Sequence, residues 1–169
     1  MIQEADRLMG LLPVGAMAPD FELPALVGGV KRKFRLSSQR GKRNVLLAFY
    51  PANWSEITRT QLTEFQAGSD RLRALQVLAV SVCVDSLMNT TAWEREIGPL
   101  DSPMCADFWP HGDVSRQYGV LRENEPMRGA SDRAAYLIDR MGKIVFHQRY
   151  ALEELPSLKA MLDVFASLK

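Results

Sequence analysis

The chain has 169 residues, 47% hydrophobic and 24% charged, the mixture of one ordinary globular domain that needs no disulfide or metal to fold. Its 21 basic and 20 acidic side chains leave a formal net charge of +1, which argues against a dedicated nucleic-acid binder. Two cysteines, Cys83 and Cys105, are too few for a disulfide scaffold, and without clustered ligands they suggest no zinc site.

Residues 1–12 read as a short amphipathic helix or a loose arm, and residues 13–169 as the folded domain. The acids Glu4 and Asp6 precede any apolar run, unlike the basic start of a signal peptide. The longest apolar runs, such as Val45 to Tyr50, fall far below the ~20 residues of a spanning helix. A cytoplasmic protein with no membrane segment is expected.

Phe21 to Leu23 is a candidate strand, Gly28-Gly29 a turn, and Val30 to Leu36 the charged second strand of a hairpin. Val45 to Tyr50 fits a central buried strand, stopped by Pro51. Ser55 opens a helical stretch to about Leu75, with Leu62, Phe65, Leu72 and Leu75 at helical spacing. Gln76 to Val84 is a second buried strand, Asn89 to Ile97 a helix, and Met104 to Ala106 a third strand. Asp113 to Tyr118 suggests a helical turn. Ala134 to Asp139 and Ile144 to Arg149 form a hairpin. Leu152 to Leu168 is a closing amphipathic helix with Leu155, Leu158, Met161, Leu162 and Phe165 on one face; Pro156 marks where its regular part begins. Strands separated by helices imply parallel pairing, and the late hairpin adds antiparallel strands. The order predicts an α/β fold, compatible with a thioredoxin-like mixed sheet flanked by helices.

Several blocks carry a family resemblance. Gly15-Ala16-Met17-Ala18-Pro19-Asp20-Phe21-Glu22-Leu23-Pro24 resembles the G-x-x-A-P-D-F-x-L-P entry of peroxiredoxins of the alkyl hydroperoxide reductase and thiol-specific antioxidant family. Gly41-Lys42, the run from Val45 to Pro51, Val84-Asp85-Ser86 and Ala92-Trp93 follow in the family's order. So do Asp107-Phe108, the stretch Val114 to Val120, and Arg133-Ala134-Ala135-Tyr136-Leu137-Ile138-Asp139. The similarity covers roughly residues 13–150, and the order and spacing of the blocks are its specific part.

One position departs from the pattern. The family's P-x-x-x-(T/S)-x-x-C reads here Pro51-x-x-x-Ser55-x-x-Thr58, so Thr58 occupies the place of the peroxidatic cysteine. A thiolate attacks peroxide because a helix N-terminus and an arginine lower its pKa, and a sulfenic acid results. A threonine hydroxyl stays protonated in that field and has no such redox cycle. The resemblance implies that Pro51 shields the site, Ser55 contacts the peroxide, Gln61 holds the arginine and Arg133 supplies the charge. This is a hydroperoxide- or small-anion-shaped pocket without its nucleophile. The expected function is a peroxidase-inactive binding or regulatory homologue, with no cofactor.

Other readings stand beside it. Pro51 can simply end a strand, Ser55 can be only an N-cap, and Arg133 can belong to a surface ion pair. Cys83 and Cys105 read as small buried hydrophobes. Cys83 lies near a strand's C-terminal end, where open α/β sheets gather their sites, so a thiol-dependent peroxidase using Cys83 is an alternative, and a small-anion-binding module is another. His111 and His147 lack ligand partners, and Gly41-Lys42 lacks the rest of a phosphate loop. Phe108-Trp109-Pro110 is either core or an exposed patch suited to a homodimer interface.

Overall fold

A computed structural model describes Arg7 and residues 10–168. The expectation for residues 1–12 lies largely outside them. Seven strands form one mixed sheet: β1 (Glu22–Val27), β2 (Val30–Arg35), β3 (Asn44–Phe49), β4 (Val77–Cys83), β5 (Met104–Ala106), β6 (Arg133–Ile138) and β7 (Ile144–Tyr150). Their order across the sheet is β2-β1-β5-β4-β3-β6-β7. β3, β4 and β5 run parallel, while β6 lies antiparallel to β3 and pairs with β7. Among the described residues the α-helices are α1 (Glu56–Ala67), α2 (Ser69–Ala74), α3 (Leu87–Ile97), α4 (Asp113–Gln117) and α5 (Leu158–Ala166).

The period-2 geometry of a strand divides the apolar run of β3 between two cores. Leu46, Ala48 and the following Tyr50 face α1, α2, α3 and α5, meeting Leu62, Phe65, Leu72, Trp93, Leu158, Met161, Leu162 and Phe165. Val45, Leu47 and Phe49 face the opposite side, with Val80, Val114 of α4, Tyr118 and Tyr136. Tyr118 and Tyr136 meet edge to face there, 5.1 Å between ring centroids. Fully burying one such side chain contributes about 1.5–3 kcal/mol. An exposed ion pair such as Arg73–Asp70 contributes about 0–1 kcal/mol, so the two cores hold the fold.

Two helices differ from expectation. The stretch 55–75 divides at Gly68 into α1 and α2. A Cβ on Gly68 would lie 2.8 Å from Leu158 Cδ2, so the missing side chain lets α5 approach closely. The closing helix starts at Leu158 rather than Leu152, capped by Ser157, whose hydroxyl accepts from the Ala160 N–H at 3.1 Å. Leu155 therefore stands outside the helix and is exposed rather than in its apolar face. Pro156 explains the delay. It has no N–H to donate to the carbonyl of Leu152, four residues earlier. Among the described residues, no helix is long and apolar enough to cross a membrane.

Candidate active site

The C-terminal ends of the parallel strands meet the start of β6, because β6 runs antiparallel to β3 and pairs Ala134 with Phe49. Pro51 follows β3 and is buried. The chain then turns through Ala52-Asn53-Trp54 into α1. Ser55 is the N-cap of α1, its side chain accepting from the Thr58 N–H at 3.3 Å. Thr58 is thus the third residue of the first turn, where the helix dipole is positive.

Strand alternation aims Arg133 at the same place. Ala135 and Leu137 of β6 line the core under α1, so Arg133, two residues before Ala135, shares that face. Thr58, Gln61 and Arg133 are 0%, 2% and 1% exposed. Arg133 Nη2 donates to Thr58 Oγ1 at 3.1 Å, Nη1 to Gln61 Oε1 at 2.9 Å, and Nε to the Leu152 carbonyl at 2.9 Å. Thr58 and Gln61 meet the same guanidinium because positions i and i+3 share a helix face.

All three of these acceptors are neutral. Burial lowers the Arg133 pKa to about 10, partly offset by Tyr50, which leaves the side chain cationic at neutral pH. A buried cation hydrogen-bonded to neutral oxygens is receptive to an anion. Clefts of about 390, 490 and 680 Å³ open elsewhere on the surface, and none is lined by Thr58, Gln61 or Arg133.

The Leu152 carbonyl has no place in the sequence reading of the site. Its signal was Pro156, which leaves that carbonyl without a helical donor and free for Arg133. Asn53 was missed as well. It is buried, accepts from Tyr50 Oη at 2.7 Å, and donates its backbone N–H to Asp85 Oδ2 at 2.8 Å. Burial pushes the Tyr50 hydroxyl well above its ordinary pKa, with Cys83 and Asp85 adding to the effect, so it remains a donor.

The two thiols are free and lie on opposite faces of the sheet, Cys83 toward α3 and Cys105 in the other core. Cys83 Sγ lies 3.3 Å from Asp85 Oδ2. Burial first, then the Asp85 carboxylate, raises the Cys83 pKa; burial and Asp107 do the same to Cys105. His111 meets the Gly129 carbonyl and His147 the Leu12 carbonyl, away from the Arg133 cluster. Phe108 and Trp109 are exposed, Trp109 at 82%, so the core alternative for them does not hold.

A seven-stranded mixed sheet with a helix N-terminus facing a buried arginine defines a thioredoxin-like fold of the peroxiredoxin type. The AhpC/TSA family profile matches residues 14–147, and the chain belongs to that family. It is similar to alkyl hydroperoxide reductase E of Mycobacterium tuberculosis (strain CDC 1551 / Oshkosh), 30% identical over 158 residues, covering 94% of this chain and 99% of that protein. It is also similar to peroxiredoxin-2 of Mus musculus, 32% identical over 153 residues, covering 87% of this chain and 73% of the relative. Among solved structures, reduced Plasmodium vivax 2-Cys peroxiredoxin superposes with a TM-score of 0.84 at 25% identity, over 91% of this chain and 80% of that one. Mycobacterium tuberculosis AhpC superposes with a TM-score of 0.83 at 21% identity, covering 93% of each chain, and bears on the fold alone.

Proposed function

We propose that this chain is a peroxiredoxin-family protein that does not itself reduce hydroperoxides and serves as a binding or regulatory homologue. The names of its relatives point to hydroperoxide reduction, and that chemistry needs a thiolate at the first turn of α1. The observation that carries the reading is the hydrogen bond from Arg133 to Thr58: the guanidinium is aimed at a hydroxyl. In this reading Pro51 keeps water from the site, Ser55 and the helix N-terminus present donors, Gln61 fixes Arg133, and Arg133 supplies the charge. The alternative of a peroxidase built on Cys83 is disfavoured by that thiol's burial and by its carboxylate neighbour.

Thiol counting tests the choice. After brief exposure to one equivalent of hydrogen peroxide and denaturation, both Cys83 and Cys105 should titrate as free thiols. Loss of the Cys83 thiol on that timescale would favour the alternative.

A second reading, a small-anion-binding module, is favoured by the neutral partners of buried Arg133. Its ligand would be a small anion able to take the place of the Thr58 hydroxyl. In either reading the protein is a homodimer, and exposed Phe108 and Trp109 contribute to the interface. Light scattering at micromolar concentration should give twice the 19.0 kDa chain mass, and Trp109→Ser should shift the population toward monomer. A 19.0 kDa species alone would count against the dimer.

A further inference from the structure

The geometry points to Asn53 as the positioning residue of the Thr58–Arg133 site, acting by fastening the Pro51–Ser55 loop to the N-terminus of α3. This rests on the reading of that site as a retained peroxiredoxin pocket. Asn53 is 5% exposed, and its backbone N–H and both ends of its side-chain amide are engaged. Besides the bonds to Tyr50 and Asp85, its Nδ2 donates to Asn89 Oδ1 and to Thr90 Oγ1, each at 3.0 Å. Asn89 and Thr90 lie in the first turn of α3, which Ser86 caps by accepting from the Asn89 N–H.

The neighbouring residue repeats the attachment. Trp54 has φ +67, a left-handed backbone that a bulky side chain rarely adopts. Its indole Nε1 donates to the same Asn89 Oδ1 at 3.0 Å. Strain of this kind persists only where surrounding contacts over-determine it, and here those contacts are the bonds to Asn89. The next residue is Ser55, the cap on Thr58. The path is therefore short: α3 holds Asn53 and Trp54, the held loop sets Ser55, and Ser55 sets the turn that carries Thr58 to Arg133. Releasing the loop loosens the first turn of α1 and with it the field at position 58.

The readout is the pKa of a thiol placed at position 58, measured by ultraviolet absorbance of the thiolate in Thr58→Cys protein, with Cys83 and Cys105 replaced by serine. Adding Asn53→Ala should raise that pKa by about one unit, a roughly tenfold loss of thiolate where the thiol is mostly protonated. Asn89→Ala, at an exposed position, should fold readily and shift it in the same direction by less, while changing Trp54 fluorescence. Val80→Ala, in the opposite core, serves as a stability control and should leave the pKa in place. If Thr58→Cys has a depressed pKa that neither asparagine variant moves, the positioning role is overturned and the pocket reading stands. If Val80→Ala raises the pKa as much as Asn53→Ala, general loosening explains the effect and the role is again overturned. An ordinary pKa in Thr58→Cys alone overturns the pocket reading, and the positioning role with it.

Discussion

Thr58→Cys should convert this chain into a protein that reacts with hydroperoxides. The substitution removes a branched methyl and leaves the backbone in ordinary helical geometry at the first turn of α1. The new sulfur would take the place of Oγ1, to which Arg133 Nη2 donates. Burial raises a thiol's pKa, while the helix N-terminus and the guanidinium lower it. With Arg133 cationic and in contact, the lowering terms should win. The expected pKa is below the ~8.5 of free cysteine and within the roughly 3.5–7.5 range of thiols in such settings. Reactivity should rise with pH through that pKa and level off above it, because the thiolate is the nucleophile. It takes one oxygen from the hydroperoxide, leaving an alcohol or water and a sulfenic acid. Two equivalents of an external thiol then return the thiol, a disulfide and water. Stopped-flow consumption of peroxide, followed by sulfenic acid trapping, measures this. An unshifted pKa with background reactivity would mean that the pocket has been remodelled for another ligand, and would favour the anion-binding reading.

Arg133→Met in the Thr58→Cys background should reverse that result. Methionine fills much of the same space but brings no charge and no donors. The thiol would then keep its burial and lose its cation, so its pKa should rise to or above ~8.5. The peroxide rate at neutral pH should fall by at least about tenfold, since each unit of pKa is a tenfold change in the ionisation constant. Stability responds to two opposed effects. Removing a buried cation spares its desolvation, while the sulfur at position 58 loses its counter-charge and Gln61 Oε1 and the Leu152 carbonyl lose a donor, at about 1–3 kcal/mol for each oxygen left unsatisfied. The losses outnumber the gain, so the unfolding midpoint should fall. A Thr58→Cys thiol whose pKa is indifferent to Arg133→Met would show that the guanidinium does not set the field at position 58.

Much of this arrangement is legible in the residues because it is local. The apolar run through β3, the stop at Pro51 and the cap at Ser55 each follow from side-chain chemistry within a few positions. Period-2 alternation then brings Arg133 to the face that α1 covers. What stayed hidden depends on tertiary contact. Gly68 breaks a continuous helical pattern because α5 presses against it, which no pattern within residues 55–75 records. The start of α5 is a local exception, set by Pro156 and the Ser157 cap together against an apolar pattern that runs on from Leu152. The roles of Asn53 and Trp54 depend on Asn89, 36 and 35 residues away, and no spacing rule links them. Phe108 and Trp109 have the composition of a core yet lie on the surface, since apolar character alone does not say which face a loop presents.

A peroxiredoxin scaffold that carries Thr58 in place of a thiol should be inert toward peroxide. The most direct test is stopped-flow mixing of the unaltered chain with hydrogen peroxide in the presence of a thiol reductant. Peroxide should be consumed no faster than free cysteine consumes it at the same thiol concentration. A second-order rate well above that of free cysteine would contradict this expectation, and its disappearance in Cys83→Ser alone would assign the activity to that thiol.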